Sequence, residues 1–242
     1  MEILKKILKK LLPPIFFPTI FKECVNYFIK GENKIIYEDN FYNRTAFINK
    51  SISEFKNCNY LEIGIADNNN FNSIPLPLKN KIGVDPAVGG THKMTSDEFF
   101  EKNQKKFNVI FIDGLHVYEQ CQRDCINSLE FIEEGGIILF HDFLPQNHLQ
   151  EKVPRKSASW TGDVWKVAVE LCNSEGMNFK IANIDYGVGI LKPEKNAKFK
   201  KMPELKEMNF NNFINDFYKD LPLISSEKAL DFISRKETNV KN

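Results

Sequence analysis

The sequence predicts an α/β fold, a mostly parallel sheet with helices on both faces. Three observations carry that reading. Short apolar runs such as Asn108-Val-Ile-Phe-Ile112 and Gly136-Ile-Ile-Leu-Phe140 are bounded by glycine and polar residues, the pattern of strands buried on both faces. From Tyr60 onward such runs alternate with helical stretches. Two of them end in acid and imidazole groups, Asp113 and His116 after the first, His141 and Asp142 after the second. Ligands of parallel sheets collect beyond the carboxyl ends of the strands, so these four side chains are expected to meet at one edge.

The 242 residues suffice for one large domain with extensions rather than two full domains. With 42% hydrophobic and 12% aromatic residues the chain buries a substantial core, which excludes global disorder. A net charge of +1 gives no general pull toward nucleic acid. The five cysteines, Cys24, Cys58, Cys121, Cys125 and Cys172, are odd in number. Cys121 and Cys125 have a zinc-like spacing at first glance, but free core thiols in a reducing, cytoplasmic setting are the better reading.

Residues 1–30 form an arm. Leu4, Ile7, Leu8 and Leu11 share one helical face, Lys5, Lys6, Lys9 and Lys10 the other, and Pro13-Pro14 ends the helix. The apolar stretch 15–21 is interrupted by Pro18 and is too short to span a bilayer. Lysines among the apolar residues and the lack of a small-residue cleavage site argue against a signal peptide. A basic amphipathic helix beside aromatics suits the anionic inner face of a membrane, so residues 1–21 are expected to make peripheral, salt-sensitive contact there. The alternative is docking on the domain or on a second subunit of a homo-oligomer.

The central domain is assigned to residues 31–193. Tyr60-Leu-Glu-Ile-Gly64 is a strand entering a turn at 66–70, with a helix near Phe71. Lys81-Ile-Gly-Val-Asp85 is a second strand, and His92-Lys-Met-Thr95 a weaker third. Ser96 or Asp97 is placed to cap the helix that follows. After the strand ending at Ile112, a helix over about 117–133 turns Val117, Cys121, Cys125, Leu129 and Ile132 inward, and Gly135-Gly136 closes it. Residues 145–162 lack periodicity and read as an active-site loop, after which 163–172 returns to helix. Residues 179–184 and 188–191 flank Asp185-Tyr-Gly187, which suggests an antiparallel hairpin. Residues 194–242 are read as a helical C-terminal extension carrying Phe210, Phe213, Phe217 and Tyr218.

Glu62-x-Gly64 followed by a turn and helix lets backbone approach a ligand closely. Asp85, one strand later, is placed to accept hydrogen bonds from two ribose hydroxyls. The phosphate-cradling G-x-G-x-x-G pattern is absent, and Asp67-Asn-Asn-Asn70 stands instead. An acidic, asparagine-rich turn suits a cationic, phosphate-free cofactor such as S-adenosylmethionine. Taken without Asp85, the same turn is equally an ordinary βα turn in which Asp67 caps the helix.

Tyr60-Leu-Glu-Ile-Gly, Gly83-Val-Asp-Pro, Met94-Thr-Ser-Asp-Glu-Phe-Phe, Phe111-Ile-Asp-Gly-Leu-His, Leu139-Phe-His-Asp and Trp160-Thr-Gly-Asp-Val-Trp-Lys resemble, in order, the motifs of class I S-adenosylmethionine-dependent methyltransferases. The resemblance runs from about residue 60 to 191 and is strongest to a bacterial branch often found with surface-glycan genes. It implies a Rossmann-like, seven-stranded sheet with an antiparallel last strand. It also implies that Glu62, Gly64, Ala66 and Asp67 line the methionine part of the cofactor, Asp85 the ribose, and Ser96 and Asp97 the adenine. The branch usually has glycine where Asn68 stands; asparagine tolerates left-handed backbone better than most residues, so the turn survives.

Methyl transfer is an in-line displacement, so the enzyme must align a nucleophile and remove its proton. Asp113, His141 and Asp142 offer oxygen and nitrogen ligands suited to Mg²⁺ or Mn²⁺, and Asp113 is also read as a contact to the cofactor. Such an ion holds a substrate hydroxyl and lowers its pKa. The same strand ends carry metal ligands in the catechol-type and macrolide-sugar methyltransferases that this stretch resembles. His116 is then the general base, with Asp113 beside it. The alternative is that Asp113 and Asp142 cap helices while the histidines only hydrogen-bond. Trp160 and His141 are read as facing the acceptor, where an aromatic stacks on a sugar ring or shields the methyl from water.

These readings combine into an O-methyltransferase for a hydroxyl of a sugar, glycan precursor or similar small molecule. The rivals are a non-catalytic scaffold at a membrane and a nicotinamide-dependent oxidoreductase, the latter disfavoured by the missing pyrophosphate glycines.

Overall fold

The computed structural model describes residues 35–38 and 42–234, all within a compact unit, Ile35–Asn242. The arm at 1–30, with its expected membrane contact through 1–21, lies outside the described residues. No helix among the described residues is long and apolar enough to cross a membrane.

Seven strands form one sheet: β1 (Tyr60–Ile63), β2 (Lys81–Val84), β3 (Phe107–Ile112), β4 (Ile132–Phe140), β5 (Glu175–Ala182), β6 (Val188–Lys198) and β7 (Leu223–Ile224), in the order β2-β1-β3-β4-β6-β5-β7. Only β6 runs against its neighbours; β7 is parallel to β5. The mostly parallel, Rossmann-like sheet and the hairpin around Asp185 are therefore as the sequence implied.

Side chains alternate between two apolar layers with the period of a strand. Ile110, Ile112, Ile138 and Phe140 enter one layer; Val109, Phe111, Ile137 and Leu139 enter the other. Each fully buried Ile or Phe of this kind contributes about 1.5–3 kcal/mol. The first layer is closed by helices α3 (Ser96–Lys102), α4 (Tyr118–Phe131) and α5 (Trp165–Cys172). The second is closed by α1 (Arg44–Ser53), the short α2 (Asn69–Ser73) and α6 (Ser226–Ile233). The stretch from 194 on wraps the sheet edge: Leu205, Phe213 and Leu221 enter the first layer, β7 pairs at the edge, and Ala229 and Ile233 enter the second. Its aromatics, Phe213 and Phe217, pack on the fully buried Trp165.

Four local readings are corrected. His92–Thr95 is no strand but a single bridge from His92 to Val84, and the seventh strand comes from the tail. Thr95, not Ser96 or Asp97, caps α3 in a reciprocal capping box with Glu98. Gly135 and Gly136 lie inside β4, since α4 already ends at Phe131. Cys172 is exposed, whereas Cys58, Cys121 and Cys125 are buried free thiols as expected.

Candidate active site at the carboxyl ends of β1, β3 and β4

The turn after β1 is built on left-handed backbone. Gly64 (φ +86°), Ala66 (φ +49°) and Asn68 (φ +65°) all adopt it, so Asn68 does take the conformation that glycine would. A Cβ on Gly64 would lie 2.1 Å from the carbonyl oxygen of Asp113. The close approach that Gly64 permits is thus to the end of β3, which brings the turn against Asp113. Asp67 accepts from the backbone N–H of Asn69. Glu62 is buried beneath the turn, accepting from Tyr60 Oη at 2.7 Å and Asn70 Nδ2 at 3.0 Å. Burial pushes its carboxyl up to about 7 against those two bonds.

Asp85 stands at the end of β2. Its Oδ2 accepts from the backbone N–H of Ile65 and Ala66, and its Oδ1 from those of Ala87 and Val88. Burial would raise its pKa, but these four bonds outweigh it and hold the carboxyl below its ordinary value. Asp85 therefore ties the turn after β1 to the loop after β2, and Asn68 Oδ1 adds a bond from Gly90 N–H. Ser96 and Asp97 face α4, where Gln120 Nε2 donates to Ser96 Oγ at 3.0 Å and to Asp97 Oδ1 at 3.2 Å. Gln120 also reaches Asp124, whose carboxyl burial raises to about 6.

The acid and imidazole groups meet as expected. His141 Nδ1 lies 3.3 Å from Asp113 Oδ1 and 3.2 Å from Asp142 Oδ1. His116 Nδ1 lies 2.9 Å from Asp142 Oδ2, and its Nε2 3.6 Å from Asp113 Oδ1. Asp142 has left-handed backbone (φ +67°), a costly conformation for a residue other than glycine. Burial lowers the pKa of both histidines, but the carboxylates of Asp142 and Asp113 outweigh it and raise both. In return, against the upward push of burial, the two imidazoles hold Asp142 well below the ordinary carboxylate range. A small pocket lies against Asp113, His116, His141 and Asp142 and is closed on its other sides by Ile112, Gly114, Leu115, Cys121 and Val164.

The loop 145–162 reaches the site through Trp160. Its ring stacks on His116 with centroids 5.0 Å apart and planes 13° from parallel, and its carbonyl lies 2.9 Å from His116 Nδ1. Gly162 (φ +62°) permits this, because a Cβ there would meet the His116 carbonyl. Just beyond, Asp163 Oδ1 accepts from Tyr118 N–H at 2.8 Å and caps α4.

Sequence reasoning missed two members. Arg44, the first residue of α1, places Nη1 3.2 Å from both His141 Nε2 and Asp185 Oδ2, and Nε 3.7 Å from Asp113. Asp185, in the β5–β6 turn, lies 3.4 Å from His141 Nε2. Burial would raise its pKa, but His141 and Arg44 hold it at about 2. Asp185 carried only a turn signal, and Arg44 precedes the alternating pattern altogether.

Asp113, His141 and Asp142 each present one ligand atom, all within 4.8 Å of one another, with His141 and Asp142 buried. Two carboxylates and one imidazole fit a divalent cation such as Mg²⁺ or Mn²⁺ in donor chemistry.

Residues 76–143 match the family model described as a methyltransferase domain. That stretch contains Asp85, Asp113, His116, His141 and Asp142, and covers well under half of the chain. No curated protein matches the chain. Among solved structures, an O-methyltransferase from Bacillus cereus in complex with SAH is 8% identical over 72% of this chain and 97% of its own, with a TM-score of 0.45. Cofactor-bound Rv0187 from MTB is 9% identical over 67% and 85%, with a TM-score of 0.49. MycE methyltransferase from the mycinamycin pathway, in complex with Mg, SAH and mycinamycin VI, is 12% identical over 62% and 49%, with a TM-score of 0.38. At these values the fold assignment rests on the strand order given above.

Proposed function

We propose that the protein is an S-adenosylmethionine-dependent O-methyltransferase, assisted by a divalent cation, that acts on a hydroxyl of a sugar, glycan precursor or similar small molecule. The observation that carries this reading is the convergence of Asp113, His116, His141 and Asp142 on one small pocket, within a stretch that matches a methyltransferase domain. The Bacillus cereus neighbour bound to SAH, and MycE bound to Mg, SAH and mycinamycin VI, are in keeping with it.

The turn after β1 suits a cationic donor by its chemistry. Glu62 and Asp85 put two carboxyls beside it, and no glycine cradle for pyrophosphate is present. Gly64, Ala66 and Asp67 lie beside the methionine end, Asp85 at the ribose, and Ser96 and Asp97 toward the adenine. All four acceptor positions of the Asp85 carboxylate are engaged by backbone, so a ribose diol takes the place of two of those bonds. A donor held there would supply an electrophilic sulfonium methyl, its C–S bond breaking as the O–C bond to the acceptor forms.

Asp113, His141 and Asp142 would hold the cation, which would supply polarisation of the acceptor hydroxyl. His116 takes the hydroxyl proton at Nε2, while its Nδ1 stays anchored on Asp142. Trp160 fixes the plane of that ring and keeps water from one of its faces. Calorimetry with S-adenosylmethionine tests the assignment: no binding at millimolar cofactor removes the enzyme reading.

A second reading, a non-catalytic scaffold that acts at a membrane through residues 1–21, draws on one observation, the full engagement of Asp85 by backbone. Undiminished cellular function after Asp85→Ala would favour it.

A further inference from the structure

His141 is gripped from both sides of its ring. Nδ1 faces Asp113 and Asp142; Nε2 faces Asp185 Oδ1 at 3.4 Å, while Arg44 Nη1, a donor only, lies 3.2 Å from Nε2 and gives its hydrogens to Asp185 when Nε2 carries the ring hydrogen. Asp185 comes from a tight turn in which it and Tyr186 both have left-handed backbone (φ +45° and +60°). Such a turn holds its conformation only when its surroundings fix it: the N–H groups of Phe143 and Leu144 donate to the carbonyls of Gly187 and Tyr186, and Arg44 fixes the Asp185 side chain. The backbone N–H of Arg44, one of the donors left free at the start of α1, donates to Asp185 Oδ2 at 3.0 Å. Its guanidinium donates to both carboxylate oxygens, at 3.3 and 3.2 Å.

We propose that Asp185 and Arg44 are positioning residues for the cation site: Asp185 orients the His141 ring from its Nε2 side so that Nδ1 faces Asp113 and Asp142, and Arg44 holds Asp185 there. The inference rests on the cation assignment made above. An imidazole that gives one ring nitrogen to a metal ion keeps its single ring hydrogen on the other, and a carboxylate aligned with that hydrogen fixes both tautomer and ring angle. Asp185 is the carboxylate on that side of His141. Neither residue ligates the cation: Asp185 acts through His141, and Arg44 acts by holding Asp185, its direct 3.7 Å contact with Asp113 being one of charge.

Charge alone makes the opposite prediction for Arg44. Removing a cation beside two metal-binding carboxylates strengthens metal binding if only Coulomb forces matter, whereas loss of positioning weakens it. The experiment is a Mn²⁺ titration, followed by electron paramagnetic resonance and calorimetry, on the full chain without methyl donor or acceptor. Arg44→Gln is expected to weaken Mn²⁺ binding by about 10–100-fold, the usual effect of removing an outer partner of a metal-bound histidine. Asp185→Glu, which keeps the charge but displaces the carboxylate, is expected to weaken it in the same direction. Mn²⁺ binding as tight as, or tighter than, that of the unaltered protein in Arg44→Gln overturns the proposal. If Arg44→Gln does not fold by circular dichroism, Asp185→Glu decides: unchanged binding overturns the proposal, weakened binding supports it. An unaltered protein that takes no Mn²⁺ overturns the cation assignment and this inference together, which sets that failure apart from a failure of positioning alone.

Discussion

His116 Nδ1 lies 2.9 Å from Asp142 Oδ2, and the same ring stacks on Trp160. One imidazole thus joins the end of β4 to the loop 145–162, with Nε2 left toward the pocket. The arrangement is that of a base oriented by a carboxylate. His116→Gln keeps much of the volume but removes the base. It is expected to lower the turnover number by about 10²–10⁴-fold, with a smaller change in KM, read from the release of S-adenosylhomocysteine.

The cation site makes a separate prediction. Asp113→Asn combined with Asp142→Asn removes both carboxylate ligands without changing side-chain size, so activity is expected to vanish while the circular dichroism spectrum is retained. Normal turnover of this double variant, or of the unaltered protein in excess chelator, would show that no metal is used.

Glu62 gives a pH dependence of stability. Its folded-state carboxyl titrates at about 7, above its ordinary value, so the folded chain binds more protons than the unfolded chain between the two. Stability from this group is full below the unfolded value, about 4.3, and is lost as pH rises toward 7. Asp124, raised to about 6, acts in the same sense, and so do His116 and His141, whose raised values cost stability as pH climbs past the histidine range. Asp185, at about 2, and Asp142, lower still than usual, are ionised throughout this window and do not oppose it. The melting temperature is expected to fall between about pH 4.5 and about pH 7, with a shallower fall in Glu62→Gln. Equal slopes for the two proteins in differential scanning calorimetry would contradict this.

Gly64 is a tight backbone crossing between the turn after β1 and the end of β3. A methyl group there would lie 2.1 Å from the Asp113 carbonyl, at a φ of +86° that L side chains rarely adopt. Gly64→Ala is expected to cost at least about 1–3 kcal/mol from the backbone conformation alone, measured by urea denaturation. It should also reduce Mn²⁺ binding, because Asp113 has to move. A neutral effect on both would mean that the turn relaxes freely.

The sequence alone determined the elements whose signal is local. The apolar strands declared themselves because Val109 to Ile112 and Ile137 to Phe140 each fill both faces of the sheet, and the hairpin because Asp185-Tyr-Gly187 sits between two such runs. Asp113, His116, His141 and Asp142 could be named together because strand ends in a parallel sheet lie at one edge, so order along the chain translates into proximity. The tertiary structure decided what no periodicity encodes. The seventh strand is two residues, Leu223–Ile224, which pair only because the tail is packed around the sheet edge. Gly64 faces the Asp113 carbonyl rather than open space, a matter of how closely two turns approach. Arg44 reaches Asp185 across 141 positions of sequence. A single side chain at that separation leaves no repeat, cap or spacing to read; its role arises only when α1 and the β5–β6 turn meet at Nε2 of one histidine.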